Sequence, residues 1–223
     1  MELPPNPENP LKGHAMTRAY LAWLPVFTLL FNSPTAHAAD FYRIDPEHTS
    51  VIFSAAHTGL SYTYGMFRDV SGVYQLDKTN PSNSKFQLTI RADSLDTNNS
   101  ERDKHLRSSD FFDVQQFPDI TFDSNRCEYI DTPESGKVYR LVGTLTIHGV
   151  PRQVQLNVRM FGEGAGANGK DHRTGFHCQY ELKRSDFKMT YLLEEKLVGD
   201  AVGITVSFEG VQQATPSNIA PVR

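Results

Sequence analysis

TNNSERDKHLRSSDFFDVQQFPDITF, residues 97–122, is the stretch that decides the fold. Its apolar spacing is helical, whereas the chain on either side alternates with a period of two. Ser100 to Asp103 reads as a capping box: a hydroxyl answers the first free amides, and a carboxylate three residues on reaches back. Glu101 and His105, like Arg102 and Leu106, stand at i,i+4, so a short helix of about ten residues is expected. Phe111, Phe112 and Phe117 follow closely, and Pro118 forbids further helix. A single helix inside an otherwise β chain predicts a lid or a plug.

Working outward, 42–57 reads as a strand with Val51, Phe53, Ala55 and His57 on one face. After a turn region at 58–63, one run from Gly65 places Val70, Gly72, Tyr74 and Leu76 together, and 78–84 is dense in turn formers. Residues 85–94 alternate cleanly, with Phe86, Leu88, Ile90 and Ala92 on the apolar side. Beyond the helix come a strand at 119–129 and a pair joined around Gly149, Val150 and Pro151. A glycine-rich flexible loop is expected at 162–174. Two last strands carry Phe176, Cys178, Tyr180 and Leu182, then Val202, Ile204, Val206 and Phe208, on their inner faces. About eight amphipathic strands separated by turns predict an all-β, eight-stranded antiparallel barrel, because closure removes exposed edges. Such a barrel is wide enough for one small ligand.

The chain has 223 residues, ordinary for one β domain, with 39% hydrophobic and 22% charged residues. A net charge of −4 argues against nucleic acid as a partner. Fourteen Phe and nine Tyr suit an apolar interior. At the N-terminus, Arg18 precedes an apolar run at 19–31, and Ala36-His37-Ala38 has the small-residue form of a cleavage site. The run is too short to span a bilayer. Residues 1–38 therefore read as a signal peptide, with Met16 an alternative start, residues 39–213 as one domain, and 214–223 as a flexible tail. The protein is expected to be exported.

Cys127 and Cys178 would meet an oxidising compartment, which invites a disulfide. Alternation points Cys178 inward and Cys127 outward, which favours two free thiols unless a bulge shifts the register. Both outcomes stay open.

Candidate chemistry is sparse. His57 ends an apolar face and is expected to look into the barrel, as a satisfied structural group or a contact for a ligand's polar end. Arg102, Asp103 and His105 read as caps and ion pairs rather than acid–base catalysts, and Glu194-Glu195 as a solvated pair. Asp171, His172 and His177 fit no standard metal spacing. There is no G-x-S-x-G, no C-x-x-C and no phosphate-cradling loop. No enzyme, metal or cofactor is indicated. A cavity lined by Phe forgoes burial energy unless a hydrocarbon fills it, at about 0.8 kcal/mol per methylene.

In order along the chain, YRIDPEHTSVIFSAAHTGLSYTYGMFRDVSG, SLDTNNSERDKHLRSSDFFD, FPDITFDS, LTIHGVPRQVQL and VSFEGVQQ resemble the YceI-like family of periplasmic polyisoprenoid-binding proteins. The run at Arg102, Asp103, His105, Leu106, Asp110 and Phe111 is specific to that family. The resemblance implies a lipocalin-like barrel with its helix near the mouth. It also implies a periplasmic location and a deep pore holding an isoprenoid, quinone-type or other long-chain lipid. Facing and resemblance together place Phe53, Phe67, Leu106, Phe111, Phe122 and Leu145 on the pore, with His57 near one end. Transient membrane contact, a homodimer, and transport or stress-response roles come with the same resemblance. A redox accessory to a membrane quinone enzyme, with the cysteines as reporters, is the alternative. Family members often carry glycine after R-S-D-F, where this chain has Lys188, which leaves that turn open.

Overall fold

The computed structural model describes residues 39–167 and 169–214; the expected leader and nearly all of the expected tail lie outside them. The strands run β1 (Asp40–His57), β2 (Ser61–Phe67), β3 (Val70–Leu76), β4 (Lys85–Arg91), β5 (Leu95–Asp96), β6 (Asp119–Thr132), β7 (Gly136–Ile147), β8 (Val150–Ala165), β9 (His172–Lys183) and β10 (Val198–Gln213). The single α-helix among the described residues, α1 (Ser100–Leu106), lies between β5 and β6.

Neighbours pair antiparallel in the order β10-β9-β8-β7-β6-β4-β3-β1, and β10 pairs back onto β1 to close the sheet. Eight strands therefore form a closed barrel, as the alternation predicts, and β2 and β5 are additions beside it. The extra count has a local cause. The run expected to be one strand from Gly65 breaks at Arg68 and Asp69, because β1 is long enough to need two partners. Its residues 40–43 pair with β3 and its residues 51–57 with β2. Ser94 stitches the break, accepting from the Arg68 and Asp69 amides at 3.1 Å each.

Other departures from simple alternation are also local. In β6 an extra residue sits between the Ser124–Gly143 and Arg126–Val142 pairs. That bulge turns Cys127 inward, against the uninterrupted period-two reading. Both cysteines are buried and free. The expected glycine loop is shorter than its composition suggests, since Gly162 pairs with Gly175 and β8 continues to Ala165.

The helix spans seven residues, and its cap is Asn99 rather than Ser100. Asn99 Oδ1 accepts from the Arg102 amide at 3.0 Å. Asp103 faces Thr97 instead of the cap, accepting from its amide at 2.9 Å and its hydroxyl at 2.5 Å. The helix stops at Leu106 because the chain folds back there: the Ser108 hydroxyl donates to the His105 carbonyl and the Phe112 amide to that of Leu106.

Side chains pack in two layers along the barrel. At one end Tyr42, Tyr74, Phe86, Tyr139, Phe176 and Phe208 interlock. Tyr42 and Tyr74 stack with centroids 5.0 Å apart, and Phe176 meets Phe86 edge-on at 5.5 Å. These rings fill one end of the barrel, and Tyr74, Phe86 and Phe208 also border the space beside them. The second layer, with Phe53, Phe67, Leu95 and Phe187, lies toward the helix.

Candidate functional site

Between these layers the side chains leave a cavity of about 200 Å³. One water needs roughly 10–15 Å³ by the same measure, so the space is many molecules large. Its surface is wholly apolar. An apolar void of this kind stays dry when empty. At about 24 cal/mol per Å³, a dry 200 Å³ space forgoes about 5 kcal/mol, a large fraction of a domain's stability.

The walls follow from alternation. Phe53, Leu88, Phe122, Leu145, Tyr180 and Val206 point inward from six of the eight barrel strands. Phe67 joins them from β2. The roof comes from Leu106, Phe111 and Phe112 of the helix and the turn after it, from Met189 of the β9–β10 connection and from Val198 at the start of β10. Six of the seven residues expected at the pore, Phe53, Phe67, Leu106, Phe111, Phe122 and Leu145, therefore share one cavity.

His57 does not. It is exposed, outside the cavity wall, because β1 outruns the barrel and its register against β10 slips between Ala55 and His57. Its cross-strand partners are Ser61 and Val198. Ala55 is the last residue of that face to reach the cavity.

The closed end is polar only in isolated places. The Tyr74 hydroxyl pairs with Thr174 Oγ1 at 2.6 Å, and the Tyr42 hydroxyl has no partner. Burial, with Asp40 and Glu163 nearby, pushes Tyr42 up to about 12, so its phenol stays neutral. Burial also pushes the Cys127 and Cys178 thiols up to about 11. Neither supplies thiolate near neutral pH.

At the mouth the helix is held by a compact network. Arg102 Nε donates to Thr97 Oγ1 at 2.7 Å and Nη2 to the Thr97 carbonyl at 2.6 Å, while Asp103 accepts from Thr97. Both side chains are spent on anchoring. His105 pairs with Asp110 at 2.9 Å and packs edge-on to Phe111 and Tyr191. Asp171 holds Arg173 at 3.1 Å, and Glu194 and Glu195 are exposed. Among the described residues no three His, Cys, Asp or Glu side chains gather as a metal site.

The sequence reading leaves out Arg184, although it stands two residues beyond Leu182 on the same alternating face. It is 4% exposed, borders the cavity, and donates to the carbonyls of Met189, Val198 and Gly199 at 2.6–2.9 Å. Burial lowers its pKa, and the three carbonyls stand where a carboxylate would otherwise be needed. The tether clamps the β9–β10 connection over the roof. Its sequence signal was the R-S-D-F run itself. The turn there survives the glycine departure, with Lys188 in the left-handed conformation at φ 63°.

The YceI-like domain profile matches residues 42–210. The chain belongs to the YceI-like family. It is 39% identical to Protein YceI of Salmonella arizonae over 188 residues, covering 83% of this chain and 94% of that relative. The Campylobacter jejuni YceI crystal structure aligns with TM-score 0.59 and 31% identity, over 69% of this chain and 87% of that one. Burkholderia cenocepacia BcnA shares the fold at TM-score 0.64 and 24% identity, over 74% and 98% of the two chains. A polyisoprenoid binding domain from Saccharophagus degradans shares it at TM-score 0.58 and 16% identity, over 77% and 98%.

Proposed function

We propose that this YceI-like protein binds one long-chain isoprenoid or similar amphiphilic lipid in the barrel and carries or sequesters it in the periplasm. The observation that carries this reading is the cavity: about 200 Å³, wholly apolar, closed by rings at one end and roofed by loops at the other. A hydrocarbon chain would recover the energy the empty space forgoes, at about 0.8 kcal/mol per methylene. A quinone tail has this chemistry. Membership of the family and the fold shared with a polyisoprenoid binding domain support the class of ligand. The signal-like N-terminus supports export. Phe53, Phe67, Leu106, Phe111, Phe122 and Leu145 would contact the chain, and His57 would not. The protein acts by binding, without catalysis or a cofactor. Two buried, protonated thiols count against the redox-accessory alternative.

The test is uptake of a fluorescent polyprenyl alcohol by wild type and by Leu145→Trp, which puts an indole into the middle of the space. The variant should lose most uptake and keep or raise its melting temperature, since filling a cavity commonly adds about 0.5–2 kcal/mol. Undiminished uptake in a folded variant would place the lipid elsewhere.

A further inference from the structure

Seven large hydrophobic side chains are exposed among the described residues; Phe161, at 85%, stands on β8 next to the Met160–Phe176 pair at the ring-filled end, and Ile52, at 36%, on the outer face of β1, whereas the other five gather. Leu60, Tyr62, Tyr64, Tyr191 and Leu197 are 88%, 64%, 63%, 39% and 41% exposed, and all five lie at the cavity's roofed end. Leu60 sits at the tip of the β1–β2 hairpin, and Tyr62 and Tyr64 point outward from β2 with ring centroids 6.4 Å apart. Tyr191 and Leu197 belong to the β9–β10 connection. The two elements are joined: the Thr58 amide donates to the Leu197 carbonyl at 2.9 Å, and His57 pairs with Val198. Tyr191 packs on Phe111, itself part of the roof. The apolar surface is therefore a collar continuous with the cavity.

We infer that this collar docks the protein on a lipid bilayer, mouth toward the membrane. The inference rests on the lipid-binding reading above and names the surface through which the cargo is exchanged. Tyrosines suit the bilayer interface, with an apolar ring and a polar tip, while leucines at loop tips can pass deeper. The exposed charges of the β9–β10 connection, Asp186, Lys188, Glu194, Glu195 and Lys196, carry no cationic excess, so docking is hydrophobic and needs no anionic lipid. A protein seated here, a second copy included, would stopper the cavity. A bilayer instead offers a path on which the chain never crosses water.

The experiment is flotation of the protein as its host processes it, N-terminus fixed by mass, with phosphatidylcholine vesicles. Wild type should co-float, with little change when salt is raised. Leu60→Ser/Tyr62→Ser/Tyr64→Ser/Leu197→Ser should lose at least about tenfold in partitioning, since buried apolar area sets interfacial binding. Leu60→Asp alone, at a tip with little to disturb, should weaken it in the same direction. Melting temperature and solution uptake of the polyprenyl alcohol should stay at wild-type values in both variants. Wild type that fails to float, or variants that float equally, would overturn the inference. So would a dimer that the quadruple variant dissolves while no form floats. Loss of uptake in wild type would sink the lipid-binding reading, whereas normal uptake without flotation would sink the docking alone.

Discussion

Phe53 closes over Gly65, its direct cross-strand partner. A Cβ at position 65 would stand 2.3 Å from Phe53 Cζ and 2.7 Å from Thr97 Cγ2. Glycine there leaves room for a cavity-lining ring and for the threonine that Arg102 and Asp103 hold. Gly65→Ala must therefore push on wall and helix anchor together, an overpacking that typically costs about 1–3 kcal/mol. Urea unfolding should show that loss, and an unchanged midpoint would mean the ring is not packed as described.

Lys188 holds the left-handed turn after Phe187, with its amide donating to the carbonyls of Arg184 and Ser185. That conformation costs a residue with a Cβ roughly 1–2 kcal/mol, partly offset by the entropy glycine would lose. Lys188→Gly should accordingly stabilise the protein by about 0.5–1 kcal/mol in chemical denaturation. Destabilisation would show that the lysine side chain contributes more than its backbone costs.

Asp45 predicts the acid limb of the stability curve. Burial pulls its pKa upward, but hydrogen bonds from Arg173, at 2.6 Å, and His48 outweigh that and lower it below 3.8. A carboxylate depressed on folding contributes stability that is present above its unfolded value and lost as pH falls through the folded one. His48 runs the other way. Its hydrogen bond to Asp45 raises it above 6.5, so its contribution is present below that value and fades as pH rises through the raised one. Asp45→Asn should flatten both limbs when unfolding is measured across pH, and parallel curves for wild type and variant would contradict the assignment.

The cysteines should be silent. With both thiols buried and raised to about 11, a thiol reagent should label neither in the native protein and both once urea unfolds it. Rapid native labelling, or a disulfide in the protein isolated from its own cells, would revive a redox role.

The barrel was legible because its inner faces alternate without exception along 202–208 and 176–182, and a closed antiparallel sheet needs little more than that. What alternation could not carry were the places where one residue breaks the period. The bulge before Cys127 reverses its facing, and the slip after Ala55 sends His57 out of the barrel. The cap lies one residue earlier than expected for a related reason: Ser100 and Asn99 are adjacent, either can cap, and only the fold-back of Asp103 onto Thr97 decides. The role of Arg184 was hidden because its partners are backbone carbonyls, which no side-chain pattern records.

The most direct measurement is native mass spectrometry of the protein gently isolated from its own cells, followed by solvent extraction. The account predicts a discrete adduct that extracts as a polyprenyl lipid and is missing from Leu145→Trp. A clean apo mass from wild type, with no uptake when polyprenyl lipid is supplied, would contradict it.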